Sequence, residues 1–145
     1  MTLNQIIQRI QTAAESHKQV NKFQCGAEFD FAVENLKYYP LVWLVPNGFT
    51  FDTEGKKCTY NFMLMVVDRH FEDASNMIEV LSDTALILQD IITLIKRNTI
   101  NEDVFFMANA NAEAIMDSRT DIVAGYGIEI QAEVPYLESY CDIPL

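Results

Sequence analysis

From Ser75 to Arg97 apolar residues return every three or four positions: Met77, Ile78, Leu81, Ala85, Leu88, Ile92 and Ile95. That spacing predicts one long helix whose apolar stripe is wide enough to cover a sheet face. The ends carry matching signals. Glu72 and Asp73 place negative charge at the positive end of the helix dipole, and Ser75 is placed to cap free amides. Lys96 and Arg97 complement the other end before Asn98 stops the helix. A shorter helix is predicted over Leu3 to His17, with Leu3, Ile6, Ile7, Ile10, Ala13 and Ala14 opposing Asn4, Gln5, Gln8, Arg9 and Gln11.

The rest of the pattern has the two-residue period of strands. Lys22 to Phe31 alternates Phe23, Cys25, Phe29 and Phe31 with Gln24, Glu28 and Asp30, and Gly26 marks a bulge or bend. Ala32 to Tyr39 fits at most one helical turn, because Tyr39 precedes Pro40 and is pushed out of the helical region. Leu41 to Val45 is a dense run of β-formers, predicting a central strand that ends in a turn at Pro46-Asn47-Gly48. Phe49 to Asp52 extends the ribbon, and Asp52 to Lys57 is a polar tip. From Cys58 to Asp68, Tyr60, Phe62, Leu64 and Val66 share one face while Thr59, Asn61, Met63, Met65 and Val67 share the other. Both faces are apolar beyond Asn61, so this strand expects burial on both sides, by a second layer or by a neighbouring subunit.

Two more strands follow the long helix, roughly Val104 to Met116 and Asp121 to Val134. Phe106, Ala108, Ala110, Ala112, Ala114 and Met116 point one way in the first; Ile122, Ala124, Tyr126, Ile128, Ile130, Ala132 and Val134 do so in the second. The two sets coincide if a loop centred on Ser118-Arg119-Thr120 has an odd number of residues, so that Met116 faces Ile122 or Ala114 faces Ala124. The alanine row lets the long helix approach closely, although small-residue rows also occur where subunits meet. The same register gathers Asn109, Asn111, Glu113, Glu129, Gln131 and Glu133 on the reverse face. This is a solvated sheet face or, on a sharper reading, an acidic wall that lines a channel or meets a basic partner.

These elements predict an α+β fold: an antiparallel sheet of about four main strands with the long helix and the N-terminal helix packed on it. The 145 residues fit a single domain, with an α+β core over 1–134 and an arm over 135–145. That arm, carrying Tyr136, Leu137, Tyr140, Ile143, Pro144 and Leu145, is too apolar for a free terminus and is expected to dock on its own domain or on a neighbour. A formal charge of −11 argues against wrapping nucleic acid through basic contacts, because the ten basic residues are scattered. The three cysteines, Cys25, Cys58 and Cys141, lie far apart and expect to be reduced structural thiols. MTLNQIIQRIQ lacks the apolar core of a signal peptide, no apolar run approaches the roughly 18 residues of a membrane span, and a cytoplasmic setting is expected.

Chemistry is sparse. Asp68, His70, Glu72 and Asp73 hold metal-type side chains in no recognised spacing and read as a capping loop before the long helix. His17 suits a helix C-terminus for dipole reasons. No phosphate loop or nucleophile elbow occurs; Gly125-Tyr126-Gly127 falls inside an alternating strand and reads as a bulge. No catalytic, cofactor-binding or metal residue is assigned, and an enzyme is not expected.

The order helix, strand, β-ribbon, long helix, β-hairpin resembles the tail-terminator and head–tail connector (neck) proteins of tailed bacteriophages. The resemblance is carried by Tyr38-Tyr39-Pro40-Leu41-Val42-Trp43-Leu44, the Thr59 to Asp68 strand, the Ser75 to Arg97 helix and the Asp121 to Val134 strand, and its wording is similar to proteins of crAss-like phages. It implies a structural virion protein, assembled in the bacterial cytoplasm. Such a protein forms a homo-oligomeric ring, often six-fold or twelve-fold, that joins portal, neck or tail-tube components and lets DNA pass through its lumen without specific binding. On that reading Glu113, Glu129 or Glu133, or the Asp52 to Glu54 tip, faces the lumen or an interface. Tyr136, Leu137, Tyr140, Ile143 and Leu145 then form a subunit-contact arm. The alternative is a soluble cytoplasmic α+β binding or regulatory domain, monomeric or dimeric, whose polar sheet face binds a partner.

Overall fold

The computed structural model describes residues 1–26, 39–70, 75–117, 123–136, 141 and 143–145. Among these residues the chain runs α1 (Leu3–Ser16), β1 (Lys22–Cys25), β2 (Leu41–Asp52), β3 (Lys57–Arg69), α2 (Met77–Asn98), β4 (Phe105–Asp117) and β5 (Val123–Pro135). The strands form one five-stranded sheet in the order β1-β2-β3-β5-β4. The α+β class is as expected, but the sheet is mixed: β1 lies parallel to β2, and the other neighbours are antiparallel. A parallel neighbour cannot be joined by a tight turn, and residues 26–40 supply the length that such a connection requires. The expected continuation of β1 to Phe31 lies outside the described residues.

Helix α1 begins with a reciprocal capping box, in which the Thr2 hydroxyl accepts from the Gln5 amide and the Gln5 side chain accepts from the Thr2 amide. Ile6, Ile10, Ala13 and Ala14 are fully buried, whereas Leu3 at the helix start is exposed. Two polar links tie the helix down. His17 Nε2 sits 2.9 Å from Asp90 Oδ2 on α2, and Arg9 Nε donates to both Glu102 carboxylate oxygens at 2.8–2.9 Å.

Helix α2 covers the sheet with Val80, Thr84, Ile87, Leu88, Ile91 and Ile95. The expected stripe is therefore rotated, by less than the ~100° step of one residue. Leu88 and Ile95 belong to both sets, Leu81, Ala85 and Ile92 are half-buried on one flank, and Ile78 is 77% exposed. The cause is that α2 is apolar on more than one side, so its period fixes the helix but not the angle at which it sits. Buried Thr84 is accommodated because its hydroxyl donates to the Val80 carbonyl at 2.8 Å. The N-cap residue is Asn76, without a side-chain capping bond, in place of the expected Ser75. Lys96 and Arg97 lie in the last turn as expected.

The expected turn at Pro46-Asn47-Gly48 is instead a bulge inside a continuous β2: Pro46 pairs with Phe62 and Phe49 with Tyr60, so two residues face Asn61 alone. β1 pairs only with Leu41 to Leu44 in the described strand, so Pro46 removes no ladder bond to it. The extra residue exchanges the two faces. Leu44 points to the helices before the bulge; Phe49 and Phe51 do so after it.

Strand β3 is central and buried on both faces, as its composition requires. Phe62, Leu64 and Val66 join the main core beneath α1 and α2. Met65 and Val67 join a smaller cluster on the reverse face with Tyr39, Leu41, Trp43 and Val123. The Gly125-Tyr126-Gly127 stretch is not a bulge against β3, since pairing runs unbroken from Arg69–Val123 to Lys57–Pro135. Gly125 is needed for close approach, because a Cβ there would lie 1.9 Å from the Val66 carbonyl oxygen.

The β4–β5 parity is as expected and the register is richer. Phe105 to Ala108 pair on the expected alignment, Phe106 facing Ala132. Beyond a three-for-one irregularity, in which Asn109, Ala110 and Asn111 face Glu129, the pairing moves by two, so Ala114 faces Tyr126 and Met116 faces Ala124. A shift of two keeps every side chain on its face.

Candidate functional site

The irregularity in β4 shapes the reverse face. Between β4 and β3, above Gly127, lies a hollow of about 310 Å³ with Met63, Met65 and Ile115 as its apolar lining and Asn109, Asn111, Glu113 and Glu129 at its polar rim. Gly127 keeps it open: a Cβ there would lie 3.2 Å from both Ile115 Cδ1 and Met65 Cγ. Among the described residues neither Glu113 nor Glu129 has a hydrogen bond or ion pair. The sheet thus presents two uncompensated carboxylates beside thioether surface, an arrangement that attracts cations without activating a nucleophile. The acidic row was legible from alternation; the lining was not, because Met63 and Met65 read simply as the second face of a buried strand.

The other acids lie elsewhere. Glu133 is four residues along β5 from Glu129, about 13 Å, and its carboxylate is 3.8 Å from Lys57 Nζ in a partly exposed pair. Asp52 Oδ1 accepts from the Gly55 amide at 2.9 Å, so this side chain shapes the β2–β3 tip; Glu54 is exposed on it. The expected acidic wall therefore divides, Glu113 with Glu129 at the hollow and Glu133 near the hairpin end, where the Asp52 to Glu54 tip, the separate acidic candidate, also lies.

On the helix side the expected contact between α2 and the alanine row does not form along its length. Phe106 is buried and Ala108 half-buried where α2 reaches β4 at Ile92, Ile95 and Lys96. Further along, Ala112 and Ala114 are exposed and Met116 is 60% exposed. The helix axis crosses the sheet obliquely, with its C-terminal half at β4 and its N-terminal half nearer β3, where Asp83 approaches Asp68. Ile78 on α2 and Ala112, Ala114 and Met116 on β4 are exposed, and Leu81 and Ala85 are half-buried. Asp68 is pushed above the ordinary carboxylate range, chiefly by burial and further by the Asp83 charge, although the Arg69 amide bonding to it acts in the opposite sense.

The arm begins where β5 ends. The Tyr136 amide donates to the Lys56 carbonyl at 2.8 Å, and its ring stands edge-on to Phe51 at 4.5 Å, so this residue docks on its own hairpin. Ile143 is half-exposed and Leu145 is 92% exposed; Leu137 and Tyr140 lie outside the described residues. Phe49 and Phe51, outward on the helix side, were missed as surface residues because the face exchange at the bulge is invisible in alternation.

Of the Asp68 to Asp73 cluster, Glu72 and Asp73 lie outside the described residues. No described helix is long and apolar enough to cross a membrane. No family model and no curated protein matches the chain.

Proposed function

We propose that this chain is a ring-forming structural protein of a phage virion, acting as a tail terminator or head–tail connector around a DNA channel. The observation that carries the reading is exposed apolar surface among the described residues: Ile78 on α2, and Ala112, Ala114 and Met116 on the edge strand β4. Such a surface in water favours association. The carboxylates on the opposite face support a lumen-facing or inter-ring role, because a negative wall lets DNA slide without adhering. Light scattering across a concentration series, with electron micrographs of the same sample, tests the reading. Discrete closed rings of about six or twelve chains support it. A protein that neither closes into rings nor co-assembles with isolated tail or portal complexes overturns it.

A second reading has its own observation. The hollow above Gly127, with unpaired Glu113 and Glu129, suits a binding module that takes a basic segment of another protein. A monomer or dimer that captures lysine- or arginine-rich peptides, and loses them on Glu113→Gln with Glu129→Gln, favours that reading.

A further inference from the structure

We infer that the free edge of β4, from Ala112 to Asp117, takes an extended segment of another protein as an added strand, one in which lysines alternate with apolar residues. The inference deepens the binding-module reading and rests on it for the pairing of charge with Glu113 and Glu129, but not for the open edge itself.

The edge is open and regular. β4 stands last in the sheet order, so among the described residues only its β5 side is paired. Past the irregularity at Asn109 to Asn111, pairing with β5 runs unbroken from Ala112–Ile128 to Asp117–Val123. Backbone amides and carbonyls on the outer side of that stretch are therefore set out in strand geometry for a further partner. Edge strands are commonly blunted by lysine or proline, and Phe105 to Asp117 contains neither. Asn109 to Ala114 are exposed and Met116 is 60% exposed, so no described residue lies over them. The described end of the chain's own arm, Ile143 to Leu145, is not in a strand, and that arm carries Glu138 and Asp142 but no basic residue.

The two faces of the edge specify what pairs with it. On the reverse face, a lysine opposite Glu113 would have its Cβ about 4.5–5.5 Å away, which makes an opposite-charge cross-strand pair. Glu129 lies on the same face, two residues along β5 from Gly127, the partner of Glu113. The two carboxylates are therefore diagonal neighbours about 7–8 Å apart at the backbone, and lysines two residues apart on a strand, about 7 Å, match that separation. Met63 and Met65 in the hollow offer adaptable apolar surface to the methylene stems. On the other face Ala112, Ala114 and Met116 are exposed and apolar, so the alternate residues of the added strand are apolar as well. A second copy does not meet this requirement, because its formal charge is −11 and its own β4 brings Glu113 and no lysine to the contact.

Short synthetic peptides of equal composition test this on the full-length protein. One alternates valine with lysine; the other carries its valines and lysines in separate blocks. The alternating peptide should bind about tenfold more tightly than the blocked one, and should weaken about tenfold on Glu113→Gln with Glu129→Gln. It should also slow amide hydrogen exchange at alternate residues between Ala112 and Asp117, read by NMR. Both glutamates are exposed, so the variant's unfolding midpoint should match the parent. Equal binding of the two peptides that is lost in the variant, with exchange along β4 unchanged, overturns the edge contact and leaves the binding-module reading standing on charge alone. Failure of both peptides to bind overturns the edge contact and the binding-module reading together. Slowed exchange at the same amides in the protein alone, as its concentration rises, assigns the edge to a second copy and overturns the proposal.

Discussion

The two flanks of α2 have similar raw material and different fates. On one flank the helix meets α1, with Asp90 reaching His17, and the core beneath is closed over Ile87 and Ile91. On the other it faces β4, and although Ile78, Leu81, Ala85 and Ile92 are as apolar as the buried set, the layer stops short and Ile78 stands in solvent. With α1 beside one flank and an edge strand beside the other, burial is decided by what the topology places alongside and not by hydrophobicity. The difference separates residues that hold the monomer together from residues free to serve an interface.

That contrast can be broken most forcefully at the covered centre. Ile91→Ala should cost about 2–5 kcal/mol, because Ile91 is 0% exposed and the cavity it leaves is lined by packed side chains; denaturant titration reads it directly. Gly125→Ala should follow at about 1–3 kcal/mol, from the clash with the Val66 carbonyl. Asp68→Asn should act in the opposite direction. Burial raises the folded carboxyl above its unfolded value, so the unfolded chain loses its proton first and stability falls as pH rises from about 4 toward the raised value. The variant should therefore unfold at a higher temperature than the parent at neutral pH, with the difference vanishing below the ordinary carboxylate range; equal midpoints at pH 7 would remove burial of Asp68 from the account. Arg9→Ala should shift the monomer's unfolding midpoint only slightly, and less at high salt, because its link to Glu102 is partly exposed and screened. Smallest of all, Ile78→Ala should change monomer stability by no more than about 0.5 kcal/mol. A large loss there would show that the β4 flank is already closed within one copy.

Much of this fold was legible from periodicity. The two helices, the two-faced β3, the tip at Asp52 to Lys57 and the parity of β4 against β5 follow from which positions are apolar. What escaped has a common physical origin: alternation reports which side a residue takes relative to its neighbours in sequence, and says nothing of what stands over that side. The stripe on α2 was displaced because the helix has apolar residues to spare. The alanine row read as a helix contact because small residues permit one, yet no described helix lies over its far end. The parallel β1 was not readable at all, since hydrophobicity carries no strand direction. In the candidate site, Glu113 and Glu129 were visible as alternating acids, while their separation from Glu133 and the methionine lining beneath them depended on the three-for-one irregularity in β4.

The two irregularities in the sheet also bear on which changes of length the gene can tolerate. β2 carries one surplus residue and β4 carries two against their partners. Losing a single codon from Pro46 to Gly48 would restore even alternation with Phe49 still opposite Tyr60 and Phe51 opposite Cys58, so the bulge disappears while Phe51 keeps its side and its contact with Tyr136. Losing two codons from Asn109 to Asn111 would leave every orientation intact and draw β4 back to one continuous alignment, closing the hollow. Both deletions should therefore spare the fold: the first straightens β2 without moving Phe51 from Tyr136, and the second erases only a surface feature.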